Sequence, residues 1–161
     1  FSLLIGFALV VLFMLFKYKI FGLISNISLI SNLILLIGIL TLIEATLTLP
    51  GIAGIILTVG MAVDSNVLIY ERIREELKTE KSIIHAFDVG YNKAKITVID
   101  ANVTTLIAAI ILFIFGSGPV KGFAVTLGVG IVTTLFSAYF IARHLTSMVV
   151  LKDKKGKYFN L

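Results

Sequence analysis

An all-α integral membrane protein, a polytopic helix bundle with five spans, is the fold class this sequence predicts. Three observations predict it. Of 161 residues, 58% are hydrophobic and only 14% are charged, against about 25% charged in a soluble domain. Five uncharged runs approach the roughly 20 apolar residues that cross a bilayer. Thirteen of the fourteen Lys and Arg residues then fall on one side of the topology those runs define. One soluble core of this length cannot hide so much apolar surface, so the chain must face lipid. The composition excludes a disordered segment, a disulfide scaffold and an ordinary soluble enzyme.

The transmembrane domain is expected over residues 1–151, with spans at 1–16, 20–43, 48–70, 98–116 and 120–142. The first run closes at Lys17-Tyr18-Lys19. It opens on Phe1-Ser2-Leu3 with no basic region and no small-residue cleavage site. A signal peptide is not expected, and the chain reads as a fragment starting inside or just before a membrane helix. The second run ends before Glu44, an interfacial residue in this reading. Its Ser25, Asn26, Ser28, Ser31 and Asn32 are read as interhelical hydrogen-bonders. Thr48-Leu49-Pro50-Gly51 is a turn that opens the third span. That span is interrupted by Asp64 and resumes to Tyr70.

Residues 71–78 then read as the third helix extended into water, with Arg72–Glu76 and Glu75–Lys78 at helical spacing. Within a cytoplasmic loop at 71–96, residues 81–96 mix apolar and basic positions and suit a short helix lying at the interface. Gly116-Ser117-Gly118-Pro119 is a turn between the fourth and fifth spans. Residues 152–161 form a basic, polar, frayed cytoplasmic tail.

The basic side is the cytoplasmic side by the positive-inside rule, and only Lys121 falls opposite. This places Phe1 near the far side and Leu161 in the cytoplasm. Tyr18, Tyr70, Tyr91, Tyr139 and Tyr158 all fall at or beyond the basic boundary, as an interfacial belt does. The net charge of +5 is thereby explained by topology, and no nucleic-acid partner is expected. The sequence has no Cys, and His85 and His144 stand far apart. No phosphate loop, nucleophile–base pair or metal motif is present, so no enzymatic site and no metal are expected.

Charge inside a membrane is costly, about 2.5–3.5 kcal/mol at the helix centre, and marks function by default. Asp64 is the clear case. It stands about 21 Å from Pro50 and about 12 Å from Arg72 along a helix rising 1.5 Å per residue. Low dielectric disfavours its charged form, which makes it a candidate for proton exchange. The bland alternative is a permanently protonated packing residue. Asp100-Ala101-Asn102 opens the fourth span, and Asn102 is expected at the depth of Asp64, within hydrogen-bonding reach. Thr104 and Thr105 follow. Asn66, Asp100, Asn102, Thr104 and Thr105 are thus the candidate polar network around Asp64, although Asn and Thr also commonly glue membrane helices. Gly54, Gly60, Gly122, Gly128 and Gly130 are the candidate close-packing positions.

Residues 49–76, which contain Gly60-Met61-Ala62-Val63-Asp64, closely resemble the SecD subunits of the bacterial Sec protein-translocation machinery, in the SecD/SecF family. So do residues 99–109 and 116–127. The resemblance implies a bundle of the resistance–nodulation–division type, with five of an expected six spans present. The first helix and a large extracytoplasmic domain would precede Phe1. It implies a proton-relay role for Asp64, with Ser65 departing from the family's usual Ala. Protons would be the coupling ion, with no cofactor and no enzymatic activity.

The implied function is use of the proton gradient to assist late steps of preprotein export across the bacterial inner membrane. Implied partners are a SecF-like second half, the Sec translocon channel, membrane lipid and, through the missing extracytoplasmic domain, the secreted preprotein. Two alternatives stay open: a proton-coupled exporter of small molecules or lipids on the same fold, and a passive assembly scaffold.

Overall fold

The computed structural model describes residues 1–79 and 82–153, and every regular element among them is helical. These are α1 (Ser2–Tyr18), α2 (Ile20–Leu42), α3 (Leu49–Leu77), α4 (Ile83–Phe115), α5 (Pro119–Phe136), a π-helical segment (Ser137–Ala142) and α6 (Arg143–Lys152). Four rods are long and apolar enough to cross a membrane: α2, α3, α4 and the continuous run Pro119–Lys152. Helix α1 has 17 residues, the lower limit of about 17 for a span. Most of the expected tail, residues 154–161, lies outside the described residues, as do Glu80 and Lys81.

Local chemistry sets the helix ends. The Thr48 hydroxyl caps α3 by accepting from the Gly51 N–H at 3.1 Å, with Pro50 in the first turn. Gly118 has φ 51° before Pro119 opens α5, a conformation that costs glycine least. Between α1 and α2 a single residue, Lys19 with φ 50°, reverses the chain. Gly22 makes that corner possible, because any side chain there would meet the Met14 carbonyl.

The sequence reading placed a separate interfacial helix at 81–96, and the structure corrects this. Residues 83–96 are the first turns of α4, a 33-residue rod about 50 Å long at 1.5 Å per residue. The reason is a face of small residues. Ala86, Gly90 and Ala94 recur every fourth residue and are buried together with Phe87 and Tyr91. That face packs on α3. A Cβ on Gly90 would lie 2.7 Å from the Ile73 Cα, so the two backbones are nearly in contact.

The main apolar core sits at the basic end of the bundle. Met14, Tyr18, Phe21, Ile69, Tyr70, Ile73, Phe87, Tyr91 and Val98 meet there, closed by Ala142 and Val150 of the last rod. Three of the tyrosines read as an interfacial belt face this core and not the bilayer: Tyr18, Tyr70 and Tyr91 are 0%, 3% and 1% exposed. Tyr70 lies 5.8 Å from the Tyr18 ring and 5.6 Å from that of Phe21. A smaller cluster, Ala109, Leu127 and Ile131, joins α4 to α5 deeper in the bundle. Most large side chains of α1 and of the outer face of α4 are exposed and apolar, as lipid or a further helix requires.

Candidate functional site

Asp64 is on α3 and is exposed, whereas its neighbours Ser65 and Asn66 are buried. It lies on one helical stripe with Leu57, Gly60 and Leu68, all exposed. A spacing of three and four residues keeps these positions on a single face. Among the described residues Asp64 has no hydrogen bond and no ion pair. The hydroxyl of Ser65 is spent on its own helix, donating to the Met61 carbonyl at 2.8 Å. It therefore does not serve the acid beside it.

The expected network divides in two. On α4, Asp100 and Thr104 are exposed, and the Thr104 hydroxyl donates to the Asp100 carbonyl at 2.9 Å. Thr105 does the same to the Ala101 carbonyl at 3.0 Å. Asn102 points inward, 3% exposed, and its amide donates to the Val98 carbonyl at 2.7 Å. Asn66 is likewise buried, and the side-chain carbonyls of Asn66 and Asn102 have no partner. Asn102 and Asp64 are not brought together.

Asp64 faces outward and Asn102 inward, and the register adds an offset along the axis. The contact between Gly90 and Ile73 fixes the antiparallel pairing of α3 and α4. Asp64 is nine residues before Ile73, and Ile99 is nine after Gly90. Asp64 is therefore level with Ile99 and Asp100, and Asn102 lies about 4.5 Å deeper at 1.5 Å per residue.

Of the five packing glycines, three are tight. Gly54 backs onto Thr126, whose Cβ would be 3.2 Å from an added methyl, and Gly130 and Gly122 face Thr58 and Thr48. These contacts let α3 and α5 approach closely. Gly60 meets nothing within 4 Å, and Gly128 meets only the Leu106 Cδ1 at 3.9 Å.

Sequence reasoning named the Arg72–Glu76 pair but missed the ion pairs that tie other helices to α3 at the basic end. Glu76 is 7% exposed and accepts from Lys93 Nζ at 2.8 Å, with Arg72 Nε at 3.5 Å. Glu71 accepts from the Tyr18 hydroxyl at 2.8 Å, with Lys17 and Arg74 at 3.6 and 3.8 Å. Together they tie α1 and α4 to α3. The signal was the helical spacing of Glu71, Arg72, Glu75 and Glu76, but nothing local indicated Lys93 as a partner. The interhelical bonds expected of Ser28 and Asn32 form a buried polar seam between α2 and the α5 rod, whose partners the sequence did not name. There Ser28 donates to the Ser137 carbonyl and Asn32 to the Thr134 hydroxyl, each at 3.1 Å.

Among the described residues the site thus offers two outward carboxyls with no partner, Asp64 and Asp100, beside Ser65, Asn102, Thr104 and Thr105, whose N–H and O–H groups serve their own helices. Comparison with known proteins places it. Residues 1–152 match the C-terminal domain of the SecD/SecF protein export membrane proteins. A protein translocase subunit SecD from Magnetococcus marinus is 56% identical over 160 residues, covering 99% of this chain and 30% of the relative. One from Rhodothermus marinus is 54% identical over 153 residues, covering 95% of this chain and 25% of its own length. The chain therefore spans less than a third of these relatives. The crystal structure of SecDF, a translocon-associated membrane protein from Thermus thermophilus, superimposes with a TM-score of 0.91 at 40% identity. That match covers 95% of this chain and 21% of the other. The chain belongs to the SecD/SecF family of protein export membrane proteins, as its C-terminal membrane domain.

Proposed function

We propose that this domain is the proton-coupling membrane part of a SecD-type translocase subunit, with Asp64 the group that takes up and releases the proton. The observation that carries this reading is the outward, unpartnered position of Asp64 on an apolar stripe. A carboxylate facing lipid costs about 2.5–3.5 kcal/mol, so the stripe needs a polar or protein cover. A SecF-like second half is the cover we infer, consistent with sites at the interface of parallel repeats.

Protonation would remove the charge from this face and change its preferred partner. That biases a two-state packing of the halves. A proton crossing the membrane supplies about 2.3 kcal/mol per 100 mV. Asp100 is level with Asp64, and the side-chain carbonyls of the buried Asn66 and Asn102 are unpartnered, so these are the polar groups nearest at hand to support the carboxyl. The domain is non-catalytic in this reading. It sits in the bacterial inner membrane with its basic end cytoplasmic and works with the translocon channel on secreted preprotein. Export of small molecules on the same fold is not favoured, given the named relatives.

The test uses the full-length protein with its partner half. Asp64→Asn keeps size and polarity but cannot titrate. Proton-gradient-dependent preprotein transport should be lost while assembly persists, and Asp64→Glu should retain part of the activity. Normal gradient-dependent transport by Asp64→Asn would overturn the relay, and tolerance of Asn with failure of Glu is the pattern of a scaffold.

A further inference from the structure

We propose that the seam between α2 and α5 is a water-binding site inside the helix bundle, built by Ser25, Ser28 and Asn32 on one side and Thr134 and Ser137 on the other. Ser25, Ser28 and Asn32 are spaced three and four apart and are 1% exposed each, so they form one inward stripe of α2. Thr134 and Ser137 face them from α5 and the π-helical segment and are 1% and 2% exposed. Two direct bonds cross the seam, Ser28 to the Ser137 carbonyl and Asn32 to the Thr134 hydroxyl. Three buried atoms are left without a partner: Ser25 Oγ, Asn32 Oδ1 and Ser137 Oγ.

These three cannot satisfy one another as they stand. Turning the Asn32 amide over would only exchange an orphan acceptor for an orphan donor. The missing ligand must both donate and accept, and it must be small. No charged side chain stands among these five residues, so the seam is not built for an ion. Its polarity equally disfavours an acyl chain. Water fits, since buried waters bond to otherwise unsatisfied groups, and with Ser25 and Asn32 about 10.5 Å apart along α2 at 1.5 Å per residue more than one is needed. The backbone favours the same place. The π-helical segment begins at Ser137, and its wider turn opens the helix where the orphan hydroxyls lie. In a membrane helix, freed backbone groups are commonly satisfied by hydroxyl side chains and ordered water, and Ser28 already serves the Ser137 carbonyl.

The full-length protein in lipid nanodiscs, subjected to X-ray hydroxyl-radical footprinting, tests this. Radicals born from bound water label the side chains beside it. Leu29, next to Ser28 and 1% exposed, is compared with Ile69, 0% exposed in the apolar core. Leu29 should be labelled several-fold faster than Ile69, and equal rates would overturn the proposal. Ser25→Ala with Ser137→Ala provides the second measurement. In a dry seam these changes remove orphans, so Tm should rise or hold. In a hydrated seam they strip the water's partners, so Tm should fall by several degrees and Leu29 labelling should drop to the Ile69 rate. An unchanged or raised Tm counts against the site. Ser137→Ala alone reads out the same sign if the double variant does not assemble.

Discussion

A methyl group added at Gly90 would press on the Ile73 backbone from 2.7 Å, and backbone cannot rotate away as a side chain does. Gly90→Ala in the full-length protein should therefore destabilise by about 1–3 kcal/mol, read as a lower Tm. Gly38→Ala, with nothing within 4 Å, should change stability by no more than about 1 kcal/mol, the helix-propensity difference. The same geometry shows what single residues do and do not reveal. The sequence reading named Gly54, Gly122 and Gly130 as close-packing positions, and each lies against a threonine. It grouped Gly60 with them, although Gly60 shares the outward stripe of Asp64. Residue type gives the capacity for close approach, but the face of the helix decides whether a neighbour is there. Asp64 was legible because a carboxyl in an apolar run is rare. The division of its expected network was not, because Asp64 faces outward while Asn102 is buried, and local spacing does not encode which face meets a neighbour.

Helices α3 and α4 are coupled at the basic end by Glu76 and Lys93, 2.8 Å apart. Glu76 is nearly buried, and Lys93 is half exposed. Removing the lysine leaves a buried acceptor short of its donor, which costs about 1–3 kcal/mol. Lys93→Met should thus lower stability, and adding Glu76→Gln should restore part of it. A thermal double-mutant cycle measures the coupling, and strict additivity of the two changes would show that the pair does not hold the helices together. The elements themselves were largely legible. The apolar runs, the Pro50 and Pro119 starts and the charged extension of α3 were all written in local chemistry. The first turns of α4 were not, because Ile, His, Phe and Lys in close succession fit an interfacial helix as well as a packed one. Only the partner surface on α3, with Ala86, Gly90 and Ala94 against it, separates the two.

For the molecule as a whole, the Lys/Arg asymmetry predicts that the α3–α4 connection and the Gly116–Pro119 turn lie on opposite sides of the membrane. Cysteines at Lys78 and Ser117, both exposed, should react with an impermeant reagent from opposite faces of sealed vesicles. Labelling of both from one face would overturn the topology. The order of the apolar spans was legible at this scale because a bilayer imposes length and apolarity on every span. The outward apolar faces of α1 and α4 carry a different kind of information, since they record surfaces that other chain segments or lipid must complete.

Two of the long rods that reach the basic side differ in stiffness. Helix α4 runs unbroken for 33 residues, whereas the α5–α6 rod is interrupted by the π-helical segment at Ser137–Ala142. A rod about 50 Å long, at 1.5 Å per residue, that tilts by about ten degrees about one end carries the other end through about 9 Å. Helix α4 is thus a lever arm with no built-in joint, and any tilt at the level of Asp64 and Asp100 must reappear, magnified, at Ile83. The α5–α6 rod can absorb the same displacement at its wider turn. Movement started at the carboxyl would therefore leave the membrane along α4, with α5 and α6 acting as the compliant post beside it.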